Sequence, residues 1–155
     1  MLSYEPRRES DRIYNILTRD LGLIRAMALG VRKEISKLRG ALEPFTLSRV
    51  SVVRGKEYWR TTSAEFIQNI FPLPTIARPL LLLEKLVQGE APHSKLFDAV
   101  EEAILSDKPQ DEIFEVRLVS KILYHLGYLK EVDLNLDKKE LVRAINKGLE
   151  SSHLT

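Results

Sequence analysis

The stretch from residue 12 to residue 29, RIYNILTRDLGLIRAMAL, has the pattern that decides the fold of the first half of the chain. Its two runs, Arg12–Thr18 and Leu21–Leu29, both show the two-residue alternation of side chains that a β-strand requires. A two-residue connection joins the runs next to Gly22, as is typical of a hairpin. The stretch therefore predicts two antiparallel strands.

Further strands are predicted on the carboxyl-terminal side of this hairpin. Phe45–Arg54 is rich in β-branched residues, which favour strands. A tight turn containing Gly55 then leads into Tyr58–Ala64, and a fifth, weaker strand is predicted at Glu65–Ile70. Short strands separated by frequent turns are typical of a small barrel or a sandwich.

The pattern changes at Phe71–Pro74, a Phe-Pro-Leu-Pro segment that predicts a domain boundary. Beyond it the apolar residues recur with a helical period. We expect an α+β protein with a barrel domain at residues 1–74 and an α-helical domain at residues 75–155. Four helices are predicted: one from Ile76 to Val87 ended by Gly89, one capped by Ser94, one from about Pro109 to Leu126 followed by Gly127, and one capped by Asp137 with Glu140.

Charge is distributed unevenly between the two halves of the 155-residue chain. Residues 1–75 contain 13 Lys and Arg against 8 Asp and Glu, a net charge of +5. Residues 76–155 contain 11 bases against 14 acids, a net charge of −3. This asymmetry indicates a polyanionic partner for the first half, although a solvated basic surface would give the same counts.

Composition and motifs exclude several classes of protein. The chain has no cysteine, which excludes disulfides, thiolate zinc sites, iron–sulfur clusters and a cysteine nucleophile. Its three histidines have no ligand-like spacing, and it contains no phosphate-binding or nucleophile-elbow motif. We therefore expect no enzymatic activity, no metal, no cofactor and no small-molecule substrate. No apolar run approaches the roughly 18 residues of a membrane span, and Met1–Ser10 lacks the apolar region of a secretion signal, so a cytoplasmic protein without membrane contact is expected.

A basic cluster between Arg25 and Arg60 is the strongest functional pattern. It contains nine bases and three acids, and Phe45, Tyr58 and Trp59 are interleaved with them. Small barrels bind single-stranded nucleic acid by combining such bases with aromatic side chains. The predicted nucleic-acid contacts are Arg25, Arg32, Lys33, Lys37, Arg39, Arg54, Lys56, Arg60 and Trp59. The sequence leaves DNA and RNA as alternatives.

Residues 30–47, GVRKEISKLRGALEPFTL, resemble a segment of the bacterial recombination mediator RecO family. The motifs Phe114–Leu118 (FEVRL) and Leu126–Tyr128 (LGY) are similar to a helix of the same family. The motifs follow the order and spacing of the family over nearly the whole chain. The resemblance implies an amino-terminal OB-fold β-barrel followed by a small α-helical domain.

The resemblance also implies a function. RecO proteins bind single- and double-stranded DNA, anneal strands coated by single-strand-binding protein (SSB), and act with RecR to load RecA. It implies a non-enzymatic, cytoplasmic, nucleoid-associated protein of DNA repair and recombination. The family's zinc-binding cysteines are absent, so zinc is not carried over and a shortened form is expected.

A protein-docking role is the alternative function. In that case the barrel is a scaffold, and the helical domain binds SSB or RecR. SSB tails are acidic and end in an apolar residue, so they require a basic rim around an apolar pocket. Arg117 and Lys121, one helical turn apart, are the predicted rim, although they are also consistent with ordinary solvated helix residues.

Overall fold

The computed structural model describes residues 1–31, 38–70 and 73–152. The chain forms two compact units. The first contains residues 1–72 together with the short segment Gly89–Pro92, and the second contains Leu73–Gln88 and residues 93–155. A piece of chain between the first two helices therefore belongs to the unit that contains the strands.

The first unit is a five-stranded sheet of OB type. Its strands are β1 (Ser3–Arg7), β2 (Asp11–Thr18), β3 (Gly22–Ala28), β4 (Thr46–Val53) and β5 (Trp59–Asn69), in the order β1-β2-β3-β5-β4. Neighbouring strands are antiparallel except β3 and β5, which are parallel. This topology confirms the predicted α+β class and OB-type domain.

The two edge strands, β1 and β4, approach each other where each begins, but they form no ladder in the described sheet. The backbone N–H of Phe45 donates to the carbonyl of Met1 at 2.9 Å, and the Met1 amino group donates to the carbonyl of Thr46 at 3.0 Å. Among the described residues the barrel is therefore partly open, and these two bonds link its edges at the amino-terminal end of β4.

The core of this unit follows from the alternation along β2 and β3. Tyr14 and Ile16 lie opposite Ala26 and Ile24 in the antiparallel register, and all four side chains are buried. Residues directly opposite each other share a face of the sheet, so the small Ala26 provides space for the Tyr14 ring. Burial of each large side chain stabilises the fold by about 1.5–3 kcal/mol.

Two details of the strand prediction were wrong. The predicted strands Tyr58–Ala64 and Glu65–Ile70 are one strand, β5, and β1 was not predicted. Along β5 the register with β4 shifts twice, which leaves Thr62 and Ile67 as extra residues. Each bulge breaks the two-residue alternation, and this explains why one strand has the sequence pattern of two.

The second unit contains the helices α1 (Pro74–Leu86), α2 (Ser94–Ile104), α3 (Glu112–His125) and α4 (Lys138–Ser151), with a short 3₁₀ helix at Glu131–Asn135. One of its apolar clusters contains the buried side chains of Leu86, Leu123, Leu129, Leu141 and Ile145. Among the residues that the structure describes, no helix is long and apolar enough to cross a membrane.

The helix ends test the predicted caps one by one. Asp137 caps α4 by accepting a hydrogen bond from the backbone N–H of Glu140 at 2.9 Å, as predicted. Gly127 follows α3 with a positive φ of 87°, also as predicted. The predicted start of α3 near Pro109 was wrong, because Asp111 caps this helix and Glu112 is its first residue. Ser94 is the first residue of α2 rather than its cap.

Candidate nucleic-acid interface

Five of the predicted contact residues lie close together, at the end of the sheet where β3 pairs with the start of β5 beside the β4–β5 turn. Ala26 and Met27 of β3 pair with Trp59 and Arg60 of β5, and Arg60 also pairs with Val53 at the end of β4. This register brings Arg25, Arg54, Lys56, Trp59 and Arg60 to one end of the sheet. We call these five residues the turn cluster.

The remaining predicted contacts lie elsewhere. Arg39 is exposed in a turn that precedes β4. Arg32, Lys33 and Lys37 fall outside the described residues. The turn cluster and Arg39 are therefore the part of the predicted interface whose geometry can be described.

Arg25 lies on the outward face of β3 and is held by an acid and an aromatic ring. Its Nη2 atom is 2.6 Å from Oε1 of Glu5 on β1, and its guanidinium carbon is 5.0 Å from the centroid of the Tyr58 ring. Both contacts compete with a phosphate for the guanidinium. Arg25 therefore offers less free positive charge than the sequence indicates.

Arg54 and Trp59 share one carboxylate. Nη1 of Arg54 is 2.6 Å from Oε2 of Glu90, and Nε1 of Trp59 donates to Oε1 of the same residue at 3.0 Å. The Arg54 guanidinium also lies 4.9 Å from the centroid of the Trp59 ring. The hydrogen bond from Arg54, and to a smaller extent the one from Trp59, lowers the pKa of Glu90. This carboxylate is therefore charged at neutral pH.

Three predicted contacts remain exposed without an acidic partner. Within residues 1–31, 38–70 and 73–152, Arg39, Lys56 and Arg60 form no ion pair with a carboxylate. Lys56 belongs to the β4–β5 turn, and Arg60 is the second residue of β5. These three are the predicted contacts with an exposed positive charge that no described carboxylate pairs with.

The aromatic residues are less available than the sequence indicates. The Trp59 ring is half-buried and packs against the barrel core. Phe45 is also half-buried and has a positive φ of 59°, a backbone conformation that few bulky residues adopt. Within the turn cluster, the indole N–H of Trp59 is already bonded to Glu90, and the neighbouring Tyr58 ring lies against Arg25.

Another arginine of the first unit serves the fold. The Arg12 side chain is only 12% exposed, and its guanidinium lies 4.0 Å from the centroid of the Tyr4 ring. It also donates to Oε1 of Glu43 at 3.3 Å. A guanidinium enclosed by an aromatic ring and a carboxylate stabilises the barrel rather than binding a ligand.

A separate candidate site lies between α2 and α3 in the second unit. A cavity of about 280 Å³ is lined by the apolar side chains of Ala103, Ile113, Phe114 and Leu118 and by both predicted rim residues, Arg117 and Lys121. Lys108 adds a third base, whereas Glu102 and Asp111 add two acids. The structure therefore brings Arg117 and Lys121 to the same partly apolar cavity.

In the part of the chain that the structure describes, no group of three or more histidine, aspartate or glutamate side chains is arranged to hold a metal ion. Two acids of the first unit, Glu5 and Glu90, lie instead on guanidinium groups.

Sequence reasoning missed these two acids. Glu5 is 20 residues from Arg25, and Glu90 is 36 residues from Arg54. No spacing rule joins positions so far apart, because their contact depends on the strand order and on the return of Gly89–Pro92 to the sheet. A search for acids capable of pairing with each base would have included Glu90 only as one of many candidates.

Comparisons with known proteins agree with this architecture. Residues 1–70 match the family model described as "Recombination protein O N terminal". The chain is 38% identical over 111 residues to a DNA repair protein RecO of Synechococcus sp., covering 72% of this chain and 39% of that protein. It is 32% identical over 141 residues to the RecO of Trichodesmium erythraeum, covering 91% of this chain and 45% of the relative.

A third relative matches a similar share of this chain. The chain is 30% identical over 151 residues to a DNA repair protein RecO of Heliobacterium modesticaldum, covering 90% of this chain and 54% of that protein. The chain thus spans about half or less of the length of these curated relatives.

Proposed function

Because the chain belongs to the RecO family, we propose that it is a non-enzymatic DNA-binding protein of repair and recombination whose first unit binds DNA. The observation that carries this proposal is that three of the predicted contacts, Arg39, Lys56 and Arg60, are exposed and form no ion pair with a carboxylate among the described residues. Positive side chains on an OB-type sheet are suited to the phosphates of a nucleic acid strand.

Contacts of this kind determine how the protein acts on DNA. Lysine and arginine contacts to phosphates carry no base information, so binding is weakly dependent on sequence and strongly dependent on salt. A protein that neutralises phosphates lowers the repulsion between two strands and holds them close. This accounts for strand annealing without any chemical step, and delivery of annealed or coated strands to RecA with RecR and SSB is part of the same proposal.

An annealing assay tests the proposal. Complementary oligonucleotides, one with a fluorophore and one with a quencher, are mixed with and without the protein. We expect faster quenching with wild-type protein and slower quenching with a variant that carries Arg39→Gln, Lys56→Gln and Arg60→Gln. Equal annealing rates with and without wild-type protein would refute the annealing activity.

The cavity between α2 and α3 favours a second candidate function, the docking of an acidic peptide with an apolar end. Its lining includes the apolar side chains of Phe114 and Leu118 and the bases Arg117 and Lys121. Apolar burial would anchor the end of such a peptide, and the two bases would pair with its carboxylates.

Peptide titration separates this function from DNA binding. We expect a fluorescent peptide with the acidic, apolar-ended chemistry of an SSB tail to bind wild-type protein and to lose affinity in the Arg117→Gln/Lys121→Gln variant. The matched control is Arg143→Gln/Lys147→Gln, which also removes two positive charges, from exposed positions on α4. Equal binding by the cavity variant and the control would exclude this cavity as the docking site.

A further inference from the structure

The shared contact of Arg54 and Trp59 with Glu90 has a consequence for how DNA reaches the turn cluster. We propose that Arg54 and Trp59 together form a phosphate-binding site in which the Glu90 carboxylate occupies the place of a backbone phosphate. DNA binds there by displacing Glu90. This inference rests on the proposed DNA binding and extends it to one phosphodiester contact and its internal competitor.

The geometry of the contact fits this exchange. The two Glu90 oxygens lie on two different donors, 2.6 Å from Arg54 Nη1 and 3.0 Å from Trp59 Nε1. A phosphodiester also presents two non-bridging oxygens that share one negative charge, so it can accept from the same two donors. The stacking of Arg54 over the Trp59 ring, at 4.9 Å, holds the two donors side by side.

The segment that carries Glu90 is seated on the sheet. Gly89–Pro92 belongs to the first unit, and the backbone of Gly22, at the start of β3, packs closely against the Ala91 carbonyl. A Cβ atom at Gly22 would lie 2.3 Å from that oxygen, so only glycine allows this approach. The segment thus presents Glu90 to Arg54 as an intramolecular ligand.

Displacement of Glu90 requires little free energy. The Arg54 side chain is 67% exposed and that of Glu90 is 43% exposed, so water screens their attraction. A DNA strand that also contacts Lys56 and Arg60 would compete effectively with a single carboxylate. Glu90 therefore lowers the affinity of the site for DNA but does not prevent binding.

Removing the competing carboxylate tests the proposal. In Glu90→Gln, we expect single-stranded DNA affinity to rise about 2- to 5-fold, the range of a screened ion pair. We also expect the slope of log affinity against log salt to steepen by about one phosphate contact. The control is Glu57→Gln, which removes the same charge from an exposed acid in the β4–β5 turn.

A double variant and a spectroscopic readout make the test specific. In an Arg54→Gln background, Glu90→Gln should give no gain beyond that of Glu57→Gln, because the site has lost its guanidinium. Trp59 is the only tryptophan of the chain, so its fluorescence should change when DNA displaces Glu90. Thermal unfolding of each variant checks that the fold is retained, and Glu90→Ala provides a second variant without the carboxylate.

The possible failures are distinguishable. Wild-type protein that binds no DNA at low salt would overturn the proposed function and this site with it. Wild-type protein that binds DNA, with equal affinities for Glu90→Gln and Glu57→Gln and unchanged Trp59 fluorescence, would overturn the phosphate site alone.

Discussion

At the scale of single residues, Asp11 shows how a buried carboxyl group orders the backbone. Its side chain lies at the start of β2, and its Oδ1 atom accepts a hydrogen bond from the backbone N–H of Gly30 at 2.7 Å. Gly30 follows β3 and has a positive φ of 64°. Asp11 therefore fixes the point where the chain leaves the β2–β3 hairpin.

Removing this acceptor should destabilise the first unit. We expect Asp11→Ala to lower the free energy of unfolding by about 1–3 kcal/mol, because the Gly30 N–H would lose its partner. Asp11→Asn keeps an acceptor oxygen, so its free energy of unfolding should fall by less. Urea unfolding measures both, with the exposed Asp20→Ala as control. An Asp11→Ala loss no larger than that of the control would contradict this role.

The residue scale is also where the predicted site was least complete. Arg25 was predictable as an exposed base because the two-residue alternation along β3 places it outside the core, and Arg54 because it borders the turn predicted at Gly55. Their partners Glu5 and Glu90 were not, because ion pairs between distant segments depend on tertiary structure. Charge counts alone therefore overestimated the free positive potential of the turn cluster.

At the scale of elements, most helices and strands were predictable from periodicity and caps. Asp137 and Gly127 carry local chemistry that fixes a helix end, and both were confirmed. Errors arose where two local rules compete. Pro109 suits a first helical turn, but the carboxylate of Asp111 bonds to the backbone N–H of Phe114 at 2.9 Å and sets the start of α3.

Helix α3 also carries a pH-dependent group. Burial, followed by the positive charges of Lys95 and Lys121, lowers the pKa of His125. The Tyr124 ring lies 5.0 Å from the His125 ring, between centroids. Between the lowered pKa and the ordinary value of about 6.5, the unfolded chain binds more protons than the folded chain. Stability should therefore rise with pH through this window and be lost on acidification.

Thermal unfolding at about pH 5 and about pH 7.5 tests this prediction. We expect the wild-type melting temperature to fall more on acidification than that of His125→Gln. His93→Gln, at the start of α2, is the control for loss of a histidine. Equal acid-induced losses in wild type and His125→Gln would contradict the proposed contribution of His125.

At the scale of the whole molecule, the change from two-residue to helical period predicted a strand region followed by a helical region, and both are present. The assignment of Gly89–Pro92 to the first unit was not predictable. Local patterns mark Gly89 only as a residue that follows a helix, whereas its packing neighbours are set by tertiary structure.

The central claim is that the first unit binds DNA through phosphates. Fluorescence anisotropy of a single-stranded oligonucleotide across a salt series tests it most directly. Two variants each lose three positive charges: Arg39→Gln/Lys56→Gln/Arg60→Gln in the first unit, and Lys139→Gln/Arg143→Gln/Lys147→Gln on the exposed part of α4.

The two variants should behave differently if the claim is correct. We expect the first variant to bind DNA more weakly than wild type. Its slope of log affinity against log salt should be shallower by about two, because each phosphate contact to a single strand contributes about 0.7. The second variant should remain close to wild type. Equal losses in the two variants, or a larger loss in the α4 variant, would contradict the assignment of DNA binding to the first unit.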